Sequence, residues 1–230
     1  MGFFGQLFGS KSNDASHDIG KTWPVPDAAN EEEYVQACTR PAFTEQKEER
    51  TFRSDPSFQR VLDPLNSQNY PAAIKAAEGL LSNFADFDLP YKWLASAYRS
   101  TGQLRRSQEV LGRGLAQAKR KSLLLTDMGE TEWRLGSAPR ALYFWCQAAH
   151  GLLTNPIDYN AYLLLSYVAK GCGLAEIEHR FLSRVDSMRA GQIRLDFETA
   201  NRLTTLVREQ KCSAMTKAIQ AVDALTLQPV

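Results

Sequence analysis

The sequence predicts an all-α chain: a stack of antiparallel helix pairs, preceded by a flexible N-terminal arm and closed by C-terminal capping helices. Three observations carry this. Turn markers recur at a near-constant interval, with Gln68, Gly102, Gly136 and Gly171 standing 34, 34 and 35 residues apart, each where one helical pattern stops and another begins. Between the markers, apolar residues follow helical spacing. Start signals open the first and last pairs, where Asp55-Pro56 and Asn155-Pro156 combine a side chain that caps orphan amides with a proline preset for a first helical turn.

Taken in order, residues 1–30 form an apolar tip and a linker. The tip, MGFFGQLFG, places Phe3, Phe4, Leu7 and Phe8 on one side of a short helical turn, a set that calls for cover. Three readings stay open for it: an anchor for a membrane surface or partner, a segment folded back on the repeats, or a disordered end. A secretory signal does not fit, because the apolar run is short and lacks a basic start. N-myristoylation would need Ser or Thr where Gln6 stands. Residues 10–30 are too poor in large apolar side chains to offset the entropy of ordering them, with Trp23 and Pro24 as a docking point inside the linker.

Residues 31–54 hold a short helix and a connector. Glu31 to Arg40 has acids at its positive end and Tyr34, Val35 and Cys38 on one face, which is expected to cover the first helix pair. The repeats occupy 55–190, with helices predicted over 56–66, 71–83, 89–101, 104–119, 122–135, 138–153, 156–170 and 173–188. Pro64 interrupts the first of these. Ala141 to Leu153 is apolar around most of its circumference and belongs in the middle of the stack. Its core stripe is Leu142, Trp145, Ala149 and Leu152, which turns Tyr143, Gln147 and His150 outward. Residues 191–230 are the cap, with helices over 196–209 and 213–225 after a loop at 189–194. The stripe Met215, Ile219, Val222 and Leu225 packs the last helix, or alternatively docks a second chain.

The residues at fixed offsets resemble the tetratricopeptide repeat. In the copy from Ser122 to Asn155, Gly129 matches the small residue of the first helix, Gly136 the turn glycine, Ala141 and Ala148 the small residues of the second helix, and Trp145 the aromatic between them. The preceding copy holds Leu94, Ala95, Tyr98, Gly102, Ser107, Leu111 and Gly114 at the same positions, and the following one Leu163, Leu164, Tyr167 and Gly171. The resemblance covers about residues 55–190. It implies a right-handed superhelical stack whose first helices line a concave groove. Carried onto this sequence, the groove positions are Lys92, Ser96, Arg99 and Ser100, then Thr126, Glu130, Trp133 and Arg134, then Ala161, Leu165 and Val168. Trp133 beside Arg134 is the expected anchor pair, unless Trp133 only packs between helices. A chaperone-type carboxylate grip is not implied, since Lys92 falls at one of its positions but Ser96, Asp158 and Tyr162 replace the others.

Charge and chemistry narrow the function further. A net charge of +1 provides no global field for nucleic acid or an anionic membrane. From Arg99 to Lys121 seven basic residues face one acid, Glu109; this reads as a solvated helix face, with an RNA-binding patch as the alternative. No nucleophile elbow, phosphate loop, HExxH or paired metal motif is present. Gly112 and Gly114 read as packing glycines, and Cys146 with His150 makes only half of a metal set. The four cysteines form no CxxC pair and read as free thiols of a reducing cytosol. The expectation is a non-catalytic protein–protein interaction module, without cofactor or metal, acting in the cytoplasm as adaptor, scaffold or assembly subunit. A peripheral location is expected if the tip binds a membrane or larger assembly. A regulatory subunit of an enzyme complex is the remaining alternative.

Overall fold

The computed structural model describes residues 23–43, 56–152, 160–187 and 195–226. Among them are eleven helices and no strand: α1 (Glu31–Thr39), α2 (Gln59–Asn66), α3 (Tyr70–Leu81), α4 (Asp88–Ser100), α5 (Leu104–Gln117), α6 (Ser122–Arg134), α7 (Ala138–Leu152), α8 (Asn160–Cys172), α9 (Ala175–Ser187), α10 (Phe197–Gln210) and α11 (Ser213–Thr226). Consecutive helices pack as pairs α2/α3, α4/α5, α6/α7 and α8/α9, and each pair leans on the next through α3/α4, α5/α6 and α7/α8. The first helices of neighbouring pairs also touch, α2 with α4 and α4 with α6. None of the helices is long and apolar enough to cross a membrane. The tip residues Phe3, Phe4, Leu7 and Phe8, the two Pro start signals' capping residues Asp55 and Asn155, and the loop expected at 189–194 lie outside the described residues.

One turn is used within every pair. At the first, Gln68 N donates to Leu65 O and Asn69 N to Pro64 O; the same two bonds recur at Gly102, Gly136 and Gly173. Each needs a left-handed residue at its centre, and φ is 57° at Gln68, 74° at Gly102, 92° at Gly136 and 79° at Gly173. The 34-residue interval therefore holds for the first three turns. At the fourth it does not: Gly171 is still helical, and the turn comes at Gly173. Gly171 has a different use, since a Cβ there would stand 2.6 Å from Val207 Cγ1 of α10.

Three helix starts carry a side-chain cap, while α2, α4, α5 and α6 begin without one. Asn30 accepts from Glu33 N and donates to the Glu33 carboxylate, Asn69 accepts from Ala72 N, and Asp196 from Thr199 N. The segment 56–58 is a turn rather than the first helical turn, so α2 begins at Gln59, and Pro64 is accommodated near its end.

The core centres on α6 and α7. Trp145 is fully buried, lies over Gly129, and donates from Nε1 to Thr126 O at 3.2 Å. Leu142 and Ala149 are buried with it, as their stripe requires. The opposite side of α7 is not outward, however. Tyr143 and Gln147 are buried too, because α1 lies on them and not on the first helix pair. Gln147 Nε2 donates to Ala37 O and Arg40 O, and its Oε1 accepts from Ala42 N. Tyr34 Oη donates to Pro139 O at 2.5 Å, and His150 Nε2 lies 2.9 Å from Cys38 O. A face with one glutamine and one histidine reads as solvated, yet those groups serve to satisfy backbone at the end of a docked helix. Trp23 joins the same core, its ring 6.1 Å from that of Phe43.

The last two helices embrace α8 rather than simply continuing the stack. α10 runs alongside α8 in the same direction, with Leu195 and Thr199 near Asn160 and Val207 near Gly171. Its end reaches the α6–α7 turn, where Gln210 Nε2 donates to Gly136 O and Gln210 Oε1 accepts from Ala138 N. α11 packs on α1, α8, α9 and α7. Arg180 of α9 donates to both oxygens of the buried Asp223 of α11, and Lys217 of α11 pairs with Glu31 of α1.

Candidate functional site

Three helices that start at intervals of about one repeat converge on a cavity of about 330 Å³, closed on its fourth side by the start of α10. α4 contributes Lys92 and Arg99, α6 contributes Thr126, Asp127, Glu130, Trp133 and Arg134, and α8 contributes Asn160, Leu163 and Leu164. Residues spaced by three or four along α6 share a face, which is why five of its side chains reach one hollow.

An ion-pair network forms the polar wall. Arg99 is buried and donates to Asp127 Oδ1, with a longer contact from its other terminal nitrogen to Asp127 O at 3.4 Å. The same guanidinium lies 3.6 Å from Glu130, which in turn accepts from Arg134 at 2.9 Å. Burial alone would lower the pKa of Arg99, but Asp127 and Glu130 more than restore it, so the charge is held. Lys92 Nζ stands 3.9 Å from Asp127 Oδ2. Trp133 is buried, with the Arg134 guanidinium 5.7 Å from its ring centre. On the other side of Trp133, α6 and α10 border a more open hollow of about 540 Å³ at whose rim Phe197 is 83% exposed.

The expected groove residues thus divide. Lys92, Arg99, Glu130, Trp133 and Arg134 come together around one cavity. Ser96 is half-buried on α4 and does not line it. Leu165 and Val168 are fully buried, and present no open surface. Sequence reasoning missed Asp127 and the contributions of Leu195, Asp196 and Thr199. Asp127 was within reach, standing three residues before Glu130 and seven before Arg134 on the same helical face. The α10 residues had no local signal, because they arrive through a long-range packing choice.

The basic segment divides, with Arg105, Arg106 and Arg113 exposed and the other four basic residues held by partners within the protein. Besides Arg99, Lys119 pairs with Asp86 at 3.3 Å and Arg120 with the buried Asp88 at 2.9 Å, while Lys121 donates to Leu115 O and Ala118 O. Burial pushes the Asp88 carboxyl up, against the pull of Arg120. A second buried network, Gln108 to Glu132 at 2.7 Å and Arg140 to Glu132 at 2.9 Å, ties α5, α6 and α7 together. Among the described residues no group of three or more His, Cys, Asp or Glu side chains is placed to hold a metal ion. Cys38, Cys146 and Cys172 are buried free thiols and Cys212 is half-buried.

In comparisons with known proteins, no family model, no curated protein and no solved structure matches the chain.

Proposed function

We propose that the chain is a tetratricopeptide-like repeat protein, a right-handed superhelical stack that holds a segment of a partner protein on the inner side of its first helices. It is a non-catalytic adaptor, scaffold or assembly subunit of the cytoplasm, with residues 1–9 as its tether to a membrane surface or larger assembly. The observation that carries this reading is the convergence of Lys92 and Arg99 with Glu130, Trp133 and Arg134 on one cavity, from helices that begin 34 residues apart. The repetition of one turn at Gln68, Gly102 and Gly136 supports it. Since α10 runs along α8, the open length of this groove is the α4–α6 stretch. Tryptophan and arginine are both enriched among the residues that dominate protein interfaces; here the buried Trp133 forms part of the cavity wall and the partly exposed Arg134 the open contact beside it.

Panning a random peptide library against the full chain, and titrating an enriched peptide into Arg134→Ala and Lys92→Ala, checks the proposal. Both side chains are partly exposed, so the variants should keep their helix content and melting temperature. Each is expected to weaken the peptide about tenfold, ~1.4 kcal/mol. An affinity indifferent to both substitutions contradicts the proposal.

A further inference from the structure

The four cysteines are scattered along the sequence, yet the fold gathers them where α1, α7, α8 and α11 meet. Cys38, Cys146 and Cys212 all stand near Tyr34, and Cys212 stands in turn near Cys172. Two of them face each other across a helix interface. The Cys146 thiol of α7 is in side-chain contact with the Cys38 thiol of α1, and both residues are fully buried. Hydrogen bonds hold the flanking residues in register: Gln147 Nε2 donates to Ala37 O at 2.6 Å and to Arg40 O at 2.9 Å, and His150 Nε2 lies 2.9 Å from Cys38 O. Each sulfur is thus bracketed by contacts that fix its own helix to the other. A buried thiol by itself is only a small apolar side chain; two that meet at the seat of a separate short helix are a pair that oxidation can join.

We propose that Cys38 and Cys146 are a redox latch: a small-molecule disulfide oxidises the pair to a Cys38–Cys146 disulfide that fastens α1 to α7. The latch is independent of the groove reading. While α1 is seated, burial pushes the Cys146 thiol well up, so it stays protonated and unreactive. α1 is a nine-residue helix packed chiefly on α7 and α11, and a segment so held opens locally at a lower free energy than the whole fold unfolds. Opening brings both thiols to solvent. The Cys38 thiolate attacks the disulfide RS–SR; the S–S bond breaks, RS⁻ leaves and takes up a proton, and Cys38 carries a mixed disulfide. As α1 returns, Cys146 gives up its proton and attacks Cys38 Sγ, and the second RSH departs. Two protein thiols are oxidised to one disulfide and RS–SR is reduced to two RSH. In a reducing compartment the latch stays open, and it closes when disulfide accumulates.

The test equilibrates the full chain, without denaturant, in glutathione buffers of rising oxidised-to-reduced ratio, quenches it in acid, and maps the disulfides by mass spectrometry. Hydrogen exchange of Glu31–Thr39 is read on the reduced and the oxidised protein. Cys38–Cys146 is expected to be the first intramolecular link to form. Exchange in α1 should then slow at least about tenfold, because the cross-link restricts the opening that exchange needs. The double variant Cys172→Ser, Cys212→Ser should keep both effects, and Cys146→Ser should lose both; if Cys146→Ser does not fold, the mapping and exchange of the wild-type chain decide by themselves. Cys38 and Cys146 still reduced at the most oxidising ratio, a link between them that forms only in urea, a first link between other cysteines, or a Cys38–Cys146 link that leaves exchange in α1 unchanged overturns the proposal.

Discussion

Gly129 and Gly136 sit seven residues apart and are glycines for unlike reasons. A Cβ on Gly129 would lie 2.5 Å from Trp145 Cδ1 and 2.9 Å from Cε2, against a ring that is fully buried and has nowhere to go. Gly129→Ala is therefore expected to cost about 1–3 kcal/mol through overpacking, and to alter the near-ultraviolet signal of the tryptophans. At Gly136 a Cβ meets nothing within 4 Å, but φ is 92°. Gly136→Ala is expected to cost about 1–2 kcal/mol of backbone strain while leaving the tryptophan signal as it was. Urea unfolding with both probes checks the pair; a Gly129→Ala protein as stable as the wild type would mean that α6 and α7 are not this close. The sequence shows both glycines at repeat offsets, and their small size is legible there. Gly171 stands at the same offset and is no turn residue, because close approach and a left-handed φ are two demands that glycine meets equally well.

Among the helices, the docking of α1 on α7 makes the sharpest demands. Gln147 satisfies Ala37 O, Arg40 O and Ala42 N at once, so Gln147→Leu leaves three backbone groups beside a buried side chain without partners. It is expected to weaken the docking by about 2–3 kcal/mol, read as faster hydrogen exchange in Glu31–Thr39 with α4–α6 unchanged. Protection in α1 equal to wild type would contradict the placement. The same seat is pH-sensitive. Burial lowers the pKa of His150 below 6.5, opposed by its contact with Cys38 O, so the folded state favours the neutral ring. That contribution is complete above the unfolded value, about 6.5, and is lost as pH falls through the lower folded value. Glu31, held low chiefly by its hydrogen bond from Lys217, titrates below this window, and burial pushes the nearby Tyr143 up to about 12. Protection of the α1 amides, corrected for the base-catalysed intrinsic exchange rate, should fall as the pH drops below about 6.5, and His150→Gln should remove that pH dependence.

Helix limits were largely legible, and for a physical reason: starts and stops are set by nearby residues, such as Asn69 through its capping side chain and Gly102 through its left-handed backbone. The predicted 104–119 and 138–153 differ from α5 and α7 by two residues or fewer at either end. Which helix covers which was not legible. Tyr34, Gln147 and Gln210 meet their partners across long stretches of chain, and nothing in local periodicity selects Pro139, Arg40 or Gly136 for them. The site shows the same division, its α4 and α6 residues following from repeat position and its α10 wall from tertiary packing alone.

At the scale of the molecule, α1 and α11 touch each other through Lys217 and Glu31 while α10 lies along α8, so elements from both ends of the described chain brace α7 and α8. The cavity between α4, α6 and α8 is a concave feature where several helix pairs meet. The proposed partner segment would lie there, against a wall whose α8 is packed by α10 and α11; a wall ordered in advance limits the entropy lost on binding. Backbone and indole NMR mapping of the full chain with its tightest library peptide tests this most directly. The account predicts that the shifts centre on Lys92, Asp127, Trp133 and Arg134 and fade toward α1 and α11. Shifts confined to α1 and α11, with the Trp133 indole unmoved at saturation, would contradict it.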